Sequence, residues 1–178
     1  MYDVDTRLCP LASGVVAVIV RTAIGQDSHR FESSTARKPL VLGGVIIPDH
    51  VGLRANSDGD VVLHALANAI SGITGIPVLG EIADQMCLEK GITNSEEYVR
   101  RAISDLGPNQ RISHVSFSIE CVTPRLSNYL TAMRDSISRL LGIETTDVGI
   151  TATSGEGLTD CGRGEGISVY CVVTVIEV

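Results

Sequence analysis

The sequence predicts an α+β fold, a single sheet with helices packed on one face. Three observations lead there. The chain opens on a Val/Ile-rich run, carries its helical periodicities in the middle, and closes in an α-β-β order, which segregates helices from strands instead of alternating them. Its 178 residues suit one domain with a sizeable core. A hydrophobic content of 44%, a charged content of 20% and a mean hydropathy of +0.24 exclude a disordered or coiled-coil chain. There is no internal repeat and no linker, so residues 14–178 read as one domain behind an extension over residues 1–13.

Gly14 to Gly25 reads as a buried strand, because Val and Ile dominate it. "ESSTARK" is a polar loop. "PLVLGGVIIP" gives two short apolar runs around Gly43-Gly44, a tight hairpin signal. "LRANSDGD" leads into a helix, with Ser57 as N-cap and Asp60 three residues later in a capping-box-like position. The helix runs through "VVLHALANAISGI", where Val62, Leu66, Ala69 and Ile73 recur at helical spacing and should face the core. "TGIPVLGEIADQ" carries turn signals and a short helical piece. Asn94 or Ser95 caps a helix over "EEYVRRAISDL", which Gly107-Pro108 stops. "HVSFSIECV" is a strand broken by Pro124, and Ser127 can cap a helix through "YLTAMRDSISRLL" to Gly142. "DVGITATS" and "ISVYCVVTVIEV" are strands joined by the glycine-rich "GEGLTDCGRGEG".

Bulk properties narrow the function classes. A net charge of −7 with no basic run argues against nucleic-acid binding, which needs phosphate neutralisation by the protein. If the ligand is a phosphate, metal ions or local dipoles must hold it. The five cysteines are odd in number and show no C-x-x-C, which suits reduced thiols in a cytoplasmic protein. The longest apolar run is too short to span a bilayer, and Asp3 and Asp5 stand where a signal peptide needs positive charge. A cytoplasmic location without membrane attachment is therefore expected, with a plastid or similar compartment left open.

The chemistry starts at "GQDSHRF". Side chains two apart on an extended backbone point the same way, so Asp27 and His29 can present a carboxylate and an imidazole to one point. The same residues also suit a plain polar strand end. His64 lies on the following helix, and Asp27, His29 and His64 together would make an open three-ligand site of the catalytic zinc type. A core histidine is the alternative for His64. The helix start near Ser57 offers N–H groups and a hydroxyl to an anion. In "TATSGEGLTDCGRGEG", glycines would let backbone amides approach a phosphate, Arg163 could pair with its oxygens, and Glu156 could hold Mg²⁺. A hairpin loop with surface charges would explain the same stretch.

Taken together, "GQDSHRF", "LGG", "SDGDVVLHAL", "LGEI", "PRL…MR" and "GRGEG" resemble the 2-C-methyl-D-erythritol 2,4-cyclodiphosphate synthase family, in order, from about Arg21 to Val178. The resemblance implies a homotrimer with active sites between subunits. It implies Zn²⁺, or another divalent transition metal, on Asp27, His29 and His64, and Mg²⁺ or Mn²⁺ near Glu156. The implied substrate is 4-diphosphocytidyl-2-C-methyl-D-erythritol 2-phosphate, and the products are the cyclic diphosphate and CMP. Asn56 and Ser154 fall at positions implied to act on the reacting phosphates. Cys121, Pro124, Arg125, Leu126 and Ser127, with Thr153 and Ser154, match the cytidine pocket. Ser57, Glu81, Ala83, Asp160 and Arg163 match further substrate contacts, alongside the metal ligands Asp27, His29 and Glu156.

Several positions depart from the family pattern. Asn56 stands for the usual His before S-D-G-D, Asn68 for an Asp on the helix, and Glu81 for the Asp of L-G-D-I. The P-D-T-D piece is replaced by "QMCLEKG", Gly157 stands for a Lys, Asp160-Cys161 for Phe-Thr, and Arg125 for a Lys. The metal set is intact while the substrate side is changed. That pattern also suits a divergent zinc-containing nucleotide-binding paralogue without cyclase activity, and an open zinc site alone would suit a metal-dependent phosphohydrolase.

Overall fold

The computed structural model describes residues 18–177, so the expected N-terminal extension and residues 14–17 of the expected first strand lie outside the described residues. In chain order the elements are strands β1 (Ile19–Arg30), β2 (Pro39–Leu42) and β3 (Val45–Val51), then helices α1 (Val61–Thr74), α2 (Glu81–Asp84) and α3 (Ser95–Ile103). Strand β4 (Gln110–Glu120), helix α4 (Leu130–Leu141), and strands β5 (Val148–Thr153) and β6 (Gly166–Glu177) complete the fold. Four strands form one sheet in the order β1-β6-β4-β5, in which only β4 and β5 run parallel; β2 and β3 form a separate hairpin.

Period-two patterning decides which face is covered. On β6, Ile167, Val169, Cys171, Val173 and Val175 are fully buried, and on β4 Val115, Phe117 and Ile119 continue the same layer. Helices α1 and α4 close this face with Val62, Leu66, Ala69, Met133 and Ile137. The fold is therefore α+β, with helices over one side of the sheet. The opposite face carries Ile24, Ser116, Ser118 and Tyr170, all exposed. Among the described residues no helix is long and apolar enough to cross a membrane.

The first strand differs from its expected form in two ways. It does not stop at Gly25 but pairs with β6 without a break from Ile19 opposite Glu177 to Arg30 opposite Gly166. It is also an edge strand whose Val20 and Ile24 are exposed, so its apolar run is not buried within the chain. The "GQDSHR" stretch is thus regular strand, which puts Asp27 and His29 on the face that α1 covers. Gly25, on that face too, is where strand and helix touch. A Cβ there would overlap the Ala65 carbonyl oxygen and the Ala69 amide. Asn68 then donates its side-chain amide to the Gln26 carbonyl at 3.0 Å, fixing the register of helix on strand.

Local chemistry explains the remaining boundaries. Gly43 and Gly44 both take positive φ, +59° and +76°, as a type I′ hairpin turn demands. Gly142 ends α4 in the left-handed conformation. Asn94, not Ser95, caps α3 by accepting from the Glu96 amide. Ser127 does not cap α4 but lies in the 3₁₀ turn Leu126–Asn128 ahead of it. The cap of α1 is Asp60 instead of the expected Ser57. Fully buried, its carboxylate accepts from the amides of Val62 and Leu63 at 3.1 Å and, across the chain, from Gly43 at 2.9 Å and Gly44 at 2.7 Å. Burial pushes this carboxyl up, against backbone amides that favour its anion.

Asp60 therefore ties the β2-β3 hairpin to the start of α1. Asp60→Ala would leave four amides without their acceptor, so a loss of about 3 kcal/mol or more is expected in urea unfolding, from the missing cap together with buried unpaired donors. A loss below about 1 kcal/mol, the size of an ordinary cap, would mean that the hairpin does not depend on it.

Candidate metal centre and active site

Strand β1 supplies Asp27 and His29, and α1 supplies His64 from the turn that packs on Gly25. The Asp27 Oδ2 lies 2.9 Å from His64 Nδ1 and 3.0 Å from His29 Nε2, and the two nitrogens are 3.2 Å apart. Among the described residues this is the one set of three His, Cys, Asp or Glu side chains whose ligand atoms converge in this way. A tetrahedral Zn²⁺ with bonds of about 2.0–2.1 Å holds its ligands roughly 3.3 Å apart, so the triangle needs only a few tenths of an ångström of expansion.

Proton accounting supports the same conclusion. The other ring nitrogen of His64, Nε2, is 2.9 Å from Ser95 Oγ and 3.3 Å from Ser57 Oγ. Ser95 Oγ donates its only proton to Asp58 Oδ1, while the second oxygen of Asp58 accepts the Ser95 amide at 3.0 Å. Ser95 must then accept from His64 Nε2–H. That directs His64 Nδ1, the nitrogen 2.9 Å from Asp27 Oδ2, at the point where a cation would sit. Burial disfavours the ionised form of Asp27, but hydrogen bonds from both imidazoles outweigh it and hold the carboxyl well below the usual carboxylate range. The Asp27 carboxylate in turn raises His29 above its ordinary 6.5, more than burial lowers it.

The triad opens into a cavity of about 450 Å³ lined also by Asn56, Ser57, Leu79, Ala83, Asp84, Cys87 and Tyr98. Five expected site residues and His64 thus share one pocket. The expected anion site at the start of α1 is corrected, because Asp60 already takes the amides of Val62 and Leu63. Glu81 begins α2 with its side chain exposed and does not line the cavity. After α2 the chain runs into a π-helical turn, Gln85–Glu89, which brings Cys87 to the Asn56 carbonyl at 3.4 Å.

The remaining candidates lie elsewhere. Cys121, Arg125, Leu126, Ser127, Thr153 and Ser154 line a second cavity of about 530 Å³ where β4 and β5 end, with Pro124 in the turn between. Burial pushes the Cys121 thiol up to about 12, which leaves it unreactive at neutral pH. Glu156 follows in the glycine-rich loop, its Oε1 accepting from Ser154 Oγ at 2.7 Å. Arg163 spends its guanidinium inside that loop, on Asp160 and on the Gly157 carbonyl, so it is not free for a phosphate in this arrangement. The two cavities share no residue.

Ser95 and Asp58 were not among the expected site residues. Asp58 was visible inside the "SDGD" motif, but nothing near Ser95 links it to a histidine 31 positions earlier.

Comparison with known proteins gives a consistent result. The YgbB family profile matches residues 20–176. The 2-C-methyl-D-erythritol 2,4-cyclodiphosphate synthase of Chlamydia felis is 51% identical over 159 residues, covering 89% of this chain and 90% of that protein. Its counterpart in Chlamydia caviae is 52% identical over the same shares. Among solved structures, a CDP-bound 2C-methyl-D-erythritol-2,4-cyclodiphosphate synthase superposes with a TM-score of 0.76 at 30% identity, over 86% of this chain and 98% of that one. The bifunctional IspDF of Campylobacter jejuni superposes at 0.81 with 29% identity, over 91% of this chain and 43% of that one.

Two outcomes follow from the centre's geometry. Ser95→Ala and Asp58→Asn should each weaken Zn²⁺ binding about 10–100-fold, as loss of an outer partner of a metal-bound histidine does. Competition with a chelator measures this, and unchanged affinity in both would separate Ser95 from the centre. The pH dependence has a defined sign. In metal-free protein the Asp27–His29 pair stabilises the fold fully below the unfolded value of 6.5 and loses that contribution as pH rises through the raised folded value. Metal binding must displace the same proton. The rise in Tm on adding Zn²⁺ should accordingly be larger at pH 8 than at pH 6, read by thermal unfolding in matched buffers.

Proposed function

The chain belongs to the YgbB family, and from that membership and the pocket's donor set we propose that it converts 4-diphosphocytidyl-2-C-methyl-D-erythritol 2-phosphate to 2-C-methyl-D-erythritol 2,4-cyclodiphosphate with release of CMP. The observation that carries this reading is the convergence of Asp27, His29 and His64 in a cavity that also presents Asn56 and Ser57. The reaction is a phosphoryl transfer within one molecule. An oxygen of the 2-phosphate bonds to the β-phosphorus, the bond from that phosphorus to the bridging oxygen breaks, and CMP leaves with that oxygen. The nucleophile is already an anion, so positioning and charge neutralisation are the main catalytic demands.

Asp27, His29 and His64 would hold Zn²⁺ and Glu156 would hold Mg²⁺ or Mn²⁺, and cations at these places supply charge neutralisation to the diphosphate. Asn56 donates its side-chain amide to a phosphate oxygen without adding charge, where the related sequences usually carry His. Ser57 and Ser154 offer hydroxyls to equatorial oxygens. Cys121 to Ser127 and Thr153 enclose the cytidine, and Glu81 reaches its ribose across the interface described next.

The assignment calls for a homotrimer. The metal triad lies on the β1 edge of the sheet and the second cavity on the β5 edge, three strand spacings or roughly 14 Å away. One substrate needs both. A head-to-tail contact that sets the β1 edge of one copy against the β5 edge of the next completes each site, and such a contact closes as a ring. The exposed Val20, Ile24 and Tyr170 on the uncovered sheet face then become interior to the ring. The cytoplasm is the compartment that fits a biosynthetic enzyme of this kind.

Incubation with the cytidyl substrate and Mg²⁺ tests the reading. CMP and the cyclic diphosphate should form in equal amounts, and His64→Ala should lose both Zn²⁺ and at least about 10³-fold in turnover while the trimer persists by light scattering. An open-chain product would point to hydrolysis, and a zinc-free variant with full activity would remove the triad from the mechanism.

A further inference from the structure

We infer that Glu120 is a positioning residue that holds the glycine-rich loop, and through it the Glu156 carboxylate, in cation-binding geometry; the inference rests on the proposed reading of Glu156. Glu120 is the last residue of β4, paired with Thr153 of β5 and Ser168 of β6, so its backbone is fixed by two neighbouring strands. Its carboxylate turns under the loop that follows β5. Oε1 accepts the hydroxyl of Thr159, whose Oγ1 in turn accepts the Gly162 amide at 2.8 Å. Two glycines lie directly on this carboxylate. A Cβ at Gly155 would overlap Glu120 Oε1, and one at Gly162 would stand 3.1 Å from that oxygen and 2.9 Å from the Gly155 carbonyl oxygen.

The consequence falls on Glu156. Gly155, Glu156 and Gly157 take φ of +69°, +49° and +75°, three left-handed residues in succession. Glycine adopts that conformation freely, but a glutamate does so only when its surroundings enforce it. Upstream, Ser154 binds the Glu156 carboxylate. Downstream, the loop is fastened by the Glu120–Thr159–Gly162 chain and by Leu158 N–H to the Gly155 carbonyl at 3.0 Å. Two other strand-borne side chains help, Thr153, whose Oγ1 accepts the Gly155 amide at 3.2 Å, and Arg30, which pairs with Asp160, but Glu120 lies directly on Gly155 and Gly162. Its Oε1 is taken by the Thr159 hydroxyl, so its part is to orient the loop.

The test uses full-length, zinc-loaded protein with Mn²⁺ titrated in the presence of CDP and free Mn²⁺ read by electron paramagnetic resonance. Glu120→Ala should raise the Mn²⁺ half-saturation about 10-fold or more, with Zn²⁺ content unchanged. Glu120→Gln keeps an oxygen acceptor for Thr159 and should stay within about 3-fold of wild type. Thr159→Val should follow Glu120→Ala, and Thr159→Ser should follow wild type, so the inference stays testable if one variant folds poorly. Alanine and valine variants that bind Mn²⁺ as wild type does would overturn it. So would loss of Zn²⁺ in step with Mn²⁺, which marks a general structural role. Failure of wild type to retain any Mn²⁺ would overturn the inference together with the Glu156 assignment. CMP release by wild type is scored separately and reports on the proposed reaction alone.

Discussion

Backbone contact between helix α1 and strand β1 at Gly25 is the constraint on which the centre depends. Asp27 and His29 come from the strand and His64 from the helix, and imidazole and carboxylate side chains are short. They meet within about 3 Å only if the two backbones approach more closely than side chains normally allow, and Gly25 removes the atom that would prevent it. Two further contacts hold the helix in that place. Asn68 ties it sideways to the strand, and Asp60 ties its first turn to the β2-β3 hairpin. The Asn68 amide donates to the Gln26 carbonyl, which a carboxylate could not, so an amide at this position suits a helix held by hydrogen bonding to the strand.

What the sequence made legible follows from the range of its signals. Asp27 and His29 were readable because strand geometry is periodic over two residues, and that periodicity held once β1 proved to run on through Arg30. The hairpin at Gly43-Gly44 and the stop at Gly142 were readable because left-handed backbone calls for glycine. Other assignments failed for lack of long-range information. Ser57 has the chemistry of a cap, yet Asp60 won because it alone also satisfies the hairpin amides. Ser95 could have capped α3, but Asn94 does so, which releases the Ser95 hydroxyl to fix the tautomer of His64. Buried and exposed edges look alike in sequence, so the apolar run of β1 read as interior although its outer side chains are open in the single chain.

The placement of the second cavity has a related logic. Substrate-side residues grouped in the sequence as one continuous motif, "CVTPRLS", fold into a cleft at the β5 edge, remote from the triad. Within one chain, strands β6 and β4 lie between the two. In the proposed reading the β1 edge serves the diphosphate and the β5 edge the nucleoside, with Glu156 on the loop that follows β5. The departures from the family pattern fall around both cavities, at Asn56 and Asn68 beside the triad, at Arg125 in the second cavity and at Gly157 and Asp160 in the glycine-rich loop, while Asp27, His29 and His64 are intact.

Charge limits how such a site can work. The protein carries a net −7, and Asp27 and Asp84 line the first cavity, with Asp58 one residue beyond Ser57. A substrate bearing three phosphates would meet a repulsive field there, and no lysine or arginine lines the pocket to reverse it. The ion pairs of Arg30 and Arg163 lie within the loop region, spent on Asp160 and Glu165. Local reversal of sign must therefore come from cations. This makes the accuracy of the carboxylates more important than their number. Asp27 is kept ionised by two imidazoles, and Glu156 is held at an unfavourable backbone angle by its neighbours. Each is an anion whose position is set before any ligand arrives, so the free energy of ordering it is met in folding and not in the reaction.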